Sequence, residues 1–241
     1  MDPLTPSAAR LVSVNAGRAT AVDHTDAEGG LTGIAKRPVP GPVRVFAPGP
    51  KGTGASGIEG DAVCDRRHHG GDHQAVYAYA REDLAHWERE LGRELPGGIF
   101  GENLTTSGLD VNGALLGERW RIGADVVLEV ASARIPCRTF QGHLDESGWV
   151  KRFTQARRPG AYLRVIQEGY VSPGDPIEIV HRPDHDVTVE LWFRAFTTER
   201  PLMERTLAAG DAMEPAAHEA VHAWLAKHGR PTADAAGHAP N

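Results

Sequence analysis

Cysteine is nearly missing from this chain: its 241 residues hold two, Cys64 and Cys137. Two cysteines make no disulfide framework, although a single Cys64–Cys137 bridge stays open. They also fall short of the ligand set of an iron–sulfur centre, and the chain carries no nucleotide-binding glycine motif of its own. Long apolar runs are missing too. No stretch approaches the roughly 20 apolar residues that span a bilayer, and residues 1–10 lack the charged-then-apolar order of a secretory signal. A cytoplasmic protein without membrane contact is expected. Positive charge is in deficit, with 26 Lys and Arg against 32 Asp and Glu for a net charge of -6. General attraction to nucleic acid is thereby excluded, and any basic site must be local.

What the chain does have is turn chemistry. Its 28 glycines and 17 prolines favour short elements joined by many turns, which fits a mainly β body better than a helix bundle. Leu11 to Gly17 alternates as a half-buried strand does, and Val43 to Phe46 reads as another after a Gly/Pro-rich loop. Lys36 and Arg37 fall in that loop, where solvated charge is the first reading and a phosphate contact the second. Ala47 to Glu59 is small and flexible and reads as a surface loop or lid. AVYAYA (75–80) is a buried strand, and the spacing of Leu84, Trp87 and Leu91 predicts a helix after it. Ile99 to Thr106 is a short strand or the approach to one. Glu118–Ile122 and Val126–Val130 form a hairpin, and Gly148–Ala156 is a short amphipathic helix. Residues 160–181 add two more strands. From Thr188 to His228 the pattern turns helical, with capping candidates at Thr197 and Asp211, an apolar face through Leu191, Phe193 and Leu202, and a last helix through Val221, Trp224 and Leu225. The resulting division is a β domain over 1–186, a small three-helix domain over 187–230, and a disordered tail over 231–241.

Two stretches carry chemistry. DRRHHGGDHQAVY (65–77) gathers Arg66, Arg67, His68, His69 and His73 around Gly70 and Gly71. Adjacent histidines diverge in a strand or tight turn, so an anion cradle made from the glycine amides and a basic side chain is preferred over a zinc site. ASARIPCRTF (131–140) presents Cys137 after a proline, in a loop at a strand end, between Arg134 and Arg138, a setting that favours a thiolate able to ligate a metal or attack sulfur or carbon. Cys64 has Arg66 and Arg67 after it but nothing basic before it, and is read as structural.

GDAVCDRRHHGGDHQAVYAY, FGENLTT and ARIPC, with VSVNAG and TGIAKRPV upstream, closely resemble the molybdenum-cofactor sulfurase C-terminal (MOSC) domain proteins, within them the bacterial YiiM-like group. The resemblance runs from about Leu11 to His181, and the helical remainder resembles that group's three-helix domain. It implies a mainly β fold with flanking helices, a MOSC-type β-barrel, and a molybdenum–molybdopterin cofactor with Cys137 as protein ligand of the metal. It further implies reduction of N-hydroxylated small molecules such as hydroxylamines and amidoximes, with electrons from an external flavin or iron–sulfur reductase. By match to motif, Arg67, His68, His69, Asn103 and Arg134 become candidates for holding the cofactor, joined by Gly70 and Gly71 from the anion cradle and by Arg138 and Arg158, chosen mainly for charge; Cys137, His68 and His69 are candidates for catalysis, one histidine delivering protons. A homodimer is left open. The alternative within the same superfamily is a sulfur carrier or transferase with a persulfide on Cys137, and a third is a module that stores or hands on the cofactor. Arg138 stands where lysine or another polar residue is expected.

Overall fold

The computed structural model of the chain describes residues 8–228, so the tail expected over 231–241 lies outside the described residues. The strands are β1 (Arg10–Ala16), β2 (Thr20–Ala21), β3 (Leu31–Thr32), β4 (Arg37–Pro38), β5 (Val43–Val45), β6 (Val76–Ala80), β7 (Leu104–Ser107), β8 (Arg119–Ile122), β9 (Val126–Ala133), β10 (Ala161–Gln167), β11 (Gly169–Val171) and β12 (Ile177–His181). Eight of them form one sheet in the order β12-β8-β9-β10-β6-β7-β1-β4. β6 and β7 pair in parallel and the other neighbours antiparallel. The parallel pair needs a crossover, which begins with α1 (Arg81–Leu91). Leu84 and Trp87 give this helix its buried side, and Gly92 ends it in a left-handed turn (φ 66°).

The sheet curls until β1 meets the residues just before β12. Leu11 donates its N–H to the Asp175 carbonyl (2.9 Å), Ile177 donates to Ala9 (2.9 Å), and Arg10 bridges Pro176. One bridge is not a ladder, so the body is a mainly β sheet with flanking helices and not a continuously closed barrel.

Two helices follow β9 and pack on each other, namely α2 (Arg138–Leu144) and α3 (Trp149–Ala156). The second is the expected amphipathic helix. The first was not anticipated, because Gly142 interrupts it and Thr and Phe are modest helix formers. Phe140 of α2 packs edge-on against Phe100 (5.1 Å) and Trp149 (5.4 Å), and Trp87 meets Trp149 at 4.5 Å. Burial of this aromatic group, rather than local propensity, holds α2 in place.

The C-terminal helices are α4 (Val189–Thr197), α5 (Met203–Thr206) and α6 (Pro215–His228). Thr188 caps α4, its hydroxyl accepting from Leu191 N–H at 3.0 Å. The expected cap Thr197 instead closes the last turn by donating to the Phe193 carbonyl (2.6 Å), and Asp211 lies in a 3-10 turn. α4 rests on β9, and Val189, Leu191, Trp192 and Phe193 join the same hydrophobic core as the sheet.

Candidate functional site

β9 ends at Ala133, and Arg134, Ile135 and Pro136 lead to Cys137. Pro136 keeps Ile135 out of helical conformation, and Cys137 is itself extended (φ -134°, ψ 173°), so α2 starts only after the thiol. Cys137 is thus the first flank of a helix and not simply a loop residue. Around it opens a cleft of about 420 Å³, a volume suited to a small ligand or cofactor.

The floor of the cleft is polar and buried. Arg134 lies with its guanidinium over Phe140 (4.7 Å to the ring centroid) and Tyr77 (5.2 Å), and its Nη1 donates one long hydrogen bond to the Tyr162 hydroxyl (3.4 Å). Its Nε is buried with no acceptor, and no carboxylate pairs with it among the described residues. A guanidinium carries five N–H donors. One of its nitrogens is spent on Tyr162 and Nε is shut away without an acceptor, which leaves a positive charge that an anion in the cleft would neutralise. Lys36 also reaches the cleft, its side chain only 8% exposed and paired with Asp61. Burial lowers the lysine's pKa, against the pull of Asp61. The solvated-charge reading of Lys36 is therefore corrected, while Arg37 is exposed as expected. Asp61 also accepts from Gly17 N–H (2.8 Å) and from the Asn103 amide (2.9 Å). Asn103 is a brace: its Oδ1 accepts from Tyr77 N–H (3.1 Å) and its amide also donates to the Asn15 carbonyl (3.3 Å).

His68, His69 and Gly70 line the same cleft. Burial first, then the positive charges of Arg134 and Lys51, drive His69 down to about 4, so it is neutral at pH 7 and holds no ready proton. Gly70 and Gly71 both have φ 77°, and a Cβ on Gly70 would stand 2.6 Å from the Ala55 carbonyl oxygen. The two glycines let the 47–59 loop lie directly on this turn. Gly71 spends its N–H on that Ala55 carbonyl (3.0 Å) and does not line the cleft, so the cradle of two glycine amides is not formed.

Three candidate arginines stand apart from the floor. Arg67 is exposed and paired with Asp65 (2.9 Å), Arg138 is exposed and paired with Asp26 (2.7 Å), and Arg158 is paired with Asp83 (2.6 Å) outside the cleft. Cys64 does line the cleft, and burial pushes its thiol pKa up, which keeps it a protonated thiol. Sequence reasoning missed Asp61, Tyr77, Tyr162 and Trp192 as lining residues. The spacing of Asp61 and the two tyrosines signals nothing, since they come from separate strands and loops. Trp192 belongs to α4, beyond the stretch where a site was sought.

The sequence pattern of the MOSC domain matches residues 65–178. The chain is also 32% identical over 180 residues to YflK of Bacillus subtilis, covering 75% of this chain and 77% of that protein. The chain belongs to the MOSC domain family. In this molybdenum-cofactor-binding family, the crystal structure of YiiM from Geobacillus stearothermophilus shares the fold with a TM-score of 0.71 at 27% identity, covering 90% of this chain and 99% of that one. A protein named "Reductase" from Gibberella moniliformis is 31% identical over 138 residues, which span 56% of this chain and 24% of that protein. The matched MOSC segment contains His69, Asn103, Arg134 and Cys137. Lys36, Asp61 and Trp192 reach the cleft from outside it.

Proposed function

We propose that this MOSC protein is a molybdenum-cofactor-dependent reductase of N-hydroxylated compounds, with Cys137 as the protein ligand of the metal. The observation that carries the reading is the buried Arg134, a cation with an orphaned Nε and no carboxylate partner, on the floor of the cleft that Cys137 lines. That donor set fits an anionic, sulfur-ligated group: a thiol for a soft metal, and the unpaired Arg134 for negative charge, with Lys36 held to Asp61 on the wall. When bound, the cofactor supplies two-electron chemistry at a metal in sulfur surroundings.

The chain's own residues bind and orient. Asp61 and Asn103 fix Lys36 on the cleft wall, and Tyr77 and Phe140 hold the plane of Arg134. Neutral His69 serves as a hydrogen-bonding group and not as the acid. The overall change is R–NHOH plus two electrons and two protons to R–NH2 plus water: the N–O bond breaks and the hydroxyl leaves as water. The electrons come from a separate flavin or iron–sulfur reductase. The reductase name of the fungal relative supports the reaction class.

The test is molybdenum analysis by mass spectrometry on protein from a cofactor-making host, beside Cys137→Ala. Near-stoichiometric molybdenum that disappears in the variant, together with reduction of phenylhydroxylamine by the wild type with reduced viologen, is the expected result. Absence of molybdenum from both, with a persulfide mass on Cys137, would replace reduction by sulfur transfer.

A further inference from the structure

The cleft changes character from floor to mouth. Its deepest lining is polar, with Arg134 and Asn103 almost fully buried and the Lys36 side chain sealed against Asp61. Its exposed lining is Leu31 (38%), Ile135 (46%), His68 and Asp26, so beside one histidine and a carboxylate already paired with Arg138 stand two large apolar side chains held in water. Only seven large hydrophobic side chains are so exposed among the described residues, and these two face one cleft. A single exposed leucine needs no explanation, whereas two on one cleft form an apolar rim.

Covalent geometry ties this rim to the reacting centre. Ile135 is two residues before Cys137, so their Cα atoms are at most about 7 Å apart. Leu31 is brought in by the 24–32 segment, which is pinned to the start of α2 by Asp26 with Arg138 (2.7 Å) and by Thr139 donating to Thr25 (3.1 Å). A small molecule whose reacting end meets the centre that Cys137 would hold has Leu31 and Ile135 as the apolar wall for the rest of its body. A charged or strongly hydrated body would lose water there without gaining a partner, and an apolar one would bury surface.

We infer that Leu31 and Ile135 determine specificity, selecting N-hydroxylated substrates whose body is apolar or aromatic. This rests on the reductase reading. The experiment compares phenylhydroxylamine with hydroxylamine itself, which has no body, as substrates of the cofactor-loaded wild type, Leu31→Ser and Ile135→Ser, with reduced viologen as donor. Calorimetric binding of phenylhydroxylamine to each protein is measured beside it without the donor. Both side chains are more than a third exposed, so the serine variants keep the core.

The expected result is a fall of about tenfold in the ratio of kcat/KM for phenylhydroxylamine over hydroxylamine in each variant, carried by KM, with a matching rise in the calorimetric Kd. Turnover of both compounds by the wild type with an unchanged ratio in the variants overturns the inference and leaves the reductase reading standing. If the wild type reduces neither compound, the reductase reading fails, and calorimetry alone decides the rim: a weakened Kd in the variants supports it and an equal Kd overturns it.

Discussion

Replacing Arg134 by methionine is expected to leave the cofactor-free protein about as stable as before while abolishing its response to anions. A buried ion without a partner costs several kcal/mol, and apolar replacement of buried ionic groups has been stabilising by about 1–4 kcal/mol. Against this stand two cation–π contacts, each about 1 kcal/mol, and one 3.4 Å hydrogen bond near the limit of useful geometry. The balance is about -1 to +2 kcal/mol. For a chain of this length that is a change in Tm between about -4 and +8 °C. Wild-type Tm should climb with inorganic phosphate, by about 2.7 kcal/mol of stability at a hundred times Kd, and the variant's should stay flat. The assay is a thermal melt of cofactor-free protein in a non-coordinating buffer, with and without phosphate. A variant that melts more than about 4 °C below the wild type, or that keeps the phosphate response, refutes the account of Arg134 as an anion-binding cation.

Asp61→Ala leaves Lys36 buried without a counterion and should cost about 3–5 kcal/mol, read by urea unfolding; the double variant Lys36→Met with Asp61→Leu should recover most of that loss. His69 is depressed from 6.5 to about 4, so the unfolded chain binds the extra proton first. Its contribution is complete above pH 6.5 and is lost as pH falls towards 4, about 3 kcal/mol in all. His73 and His143 are lowered by burial in the same direction. Urea midpoints of wild type and His69→Gln should converge at acid pH, and a wild-type midpoint unchanged from pH 7 to 4.5 would contradict this. Gly70→Ala places a Cβ against the Ala55 carbonyl at positive φ and should cost about 1–3 kcal/mol, seen as a lower Tm and as faster proteolysis within the 47–59 loop.

The elements easiest to read from sequence are those whose residues decide matters locally. AVYAYA became β6, buried throughout, the 118–130 hairpin became β8 and β9, and the Leu84/Trp87/Leu91 spacing became α1. α2 was illegible because distant aromatic partners hold it. In the site, Cys137, Arg134, His68, His69, Gly70 and Asn103 line one cleft. Arg67 was chosen for its place in the motif, and its partner Asp65 lies two residues away, whereas Arg138 and Arg158 were chosen mainly for charge, and sequence separation conceals their partners Asp26 and Asp83. The burial of Lys36 was equally hidden, since only its tertiary partner Asp61 makes it tolerable.

β2 and β3 pair only with each other, and none of residues 18–32 is fully buried. The ribbon that carries Leu31 is therefore fastened to the scaffold by polar contacts to α2 and not through the core. Mutations there escape the stability threshold that restrains the core, so descendants of this chain can exchange one clientele of small molecules for another while inheriting the thiol and its cationic floor unchanged. Selectivity and foldedness are, at this end of the cleft, separately heritable traits.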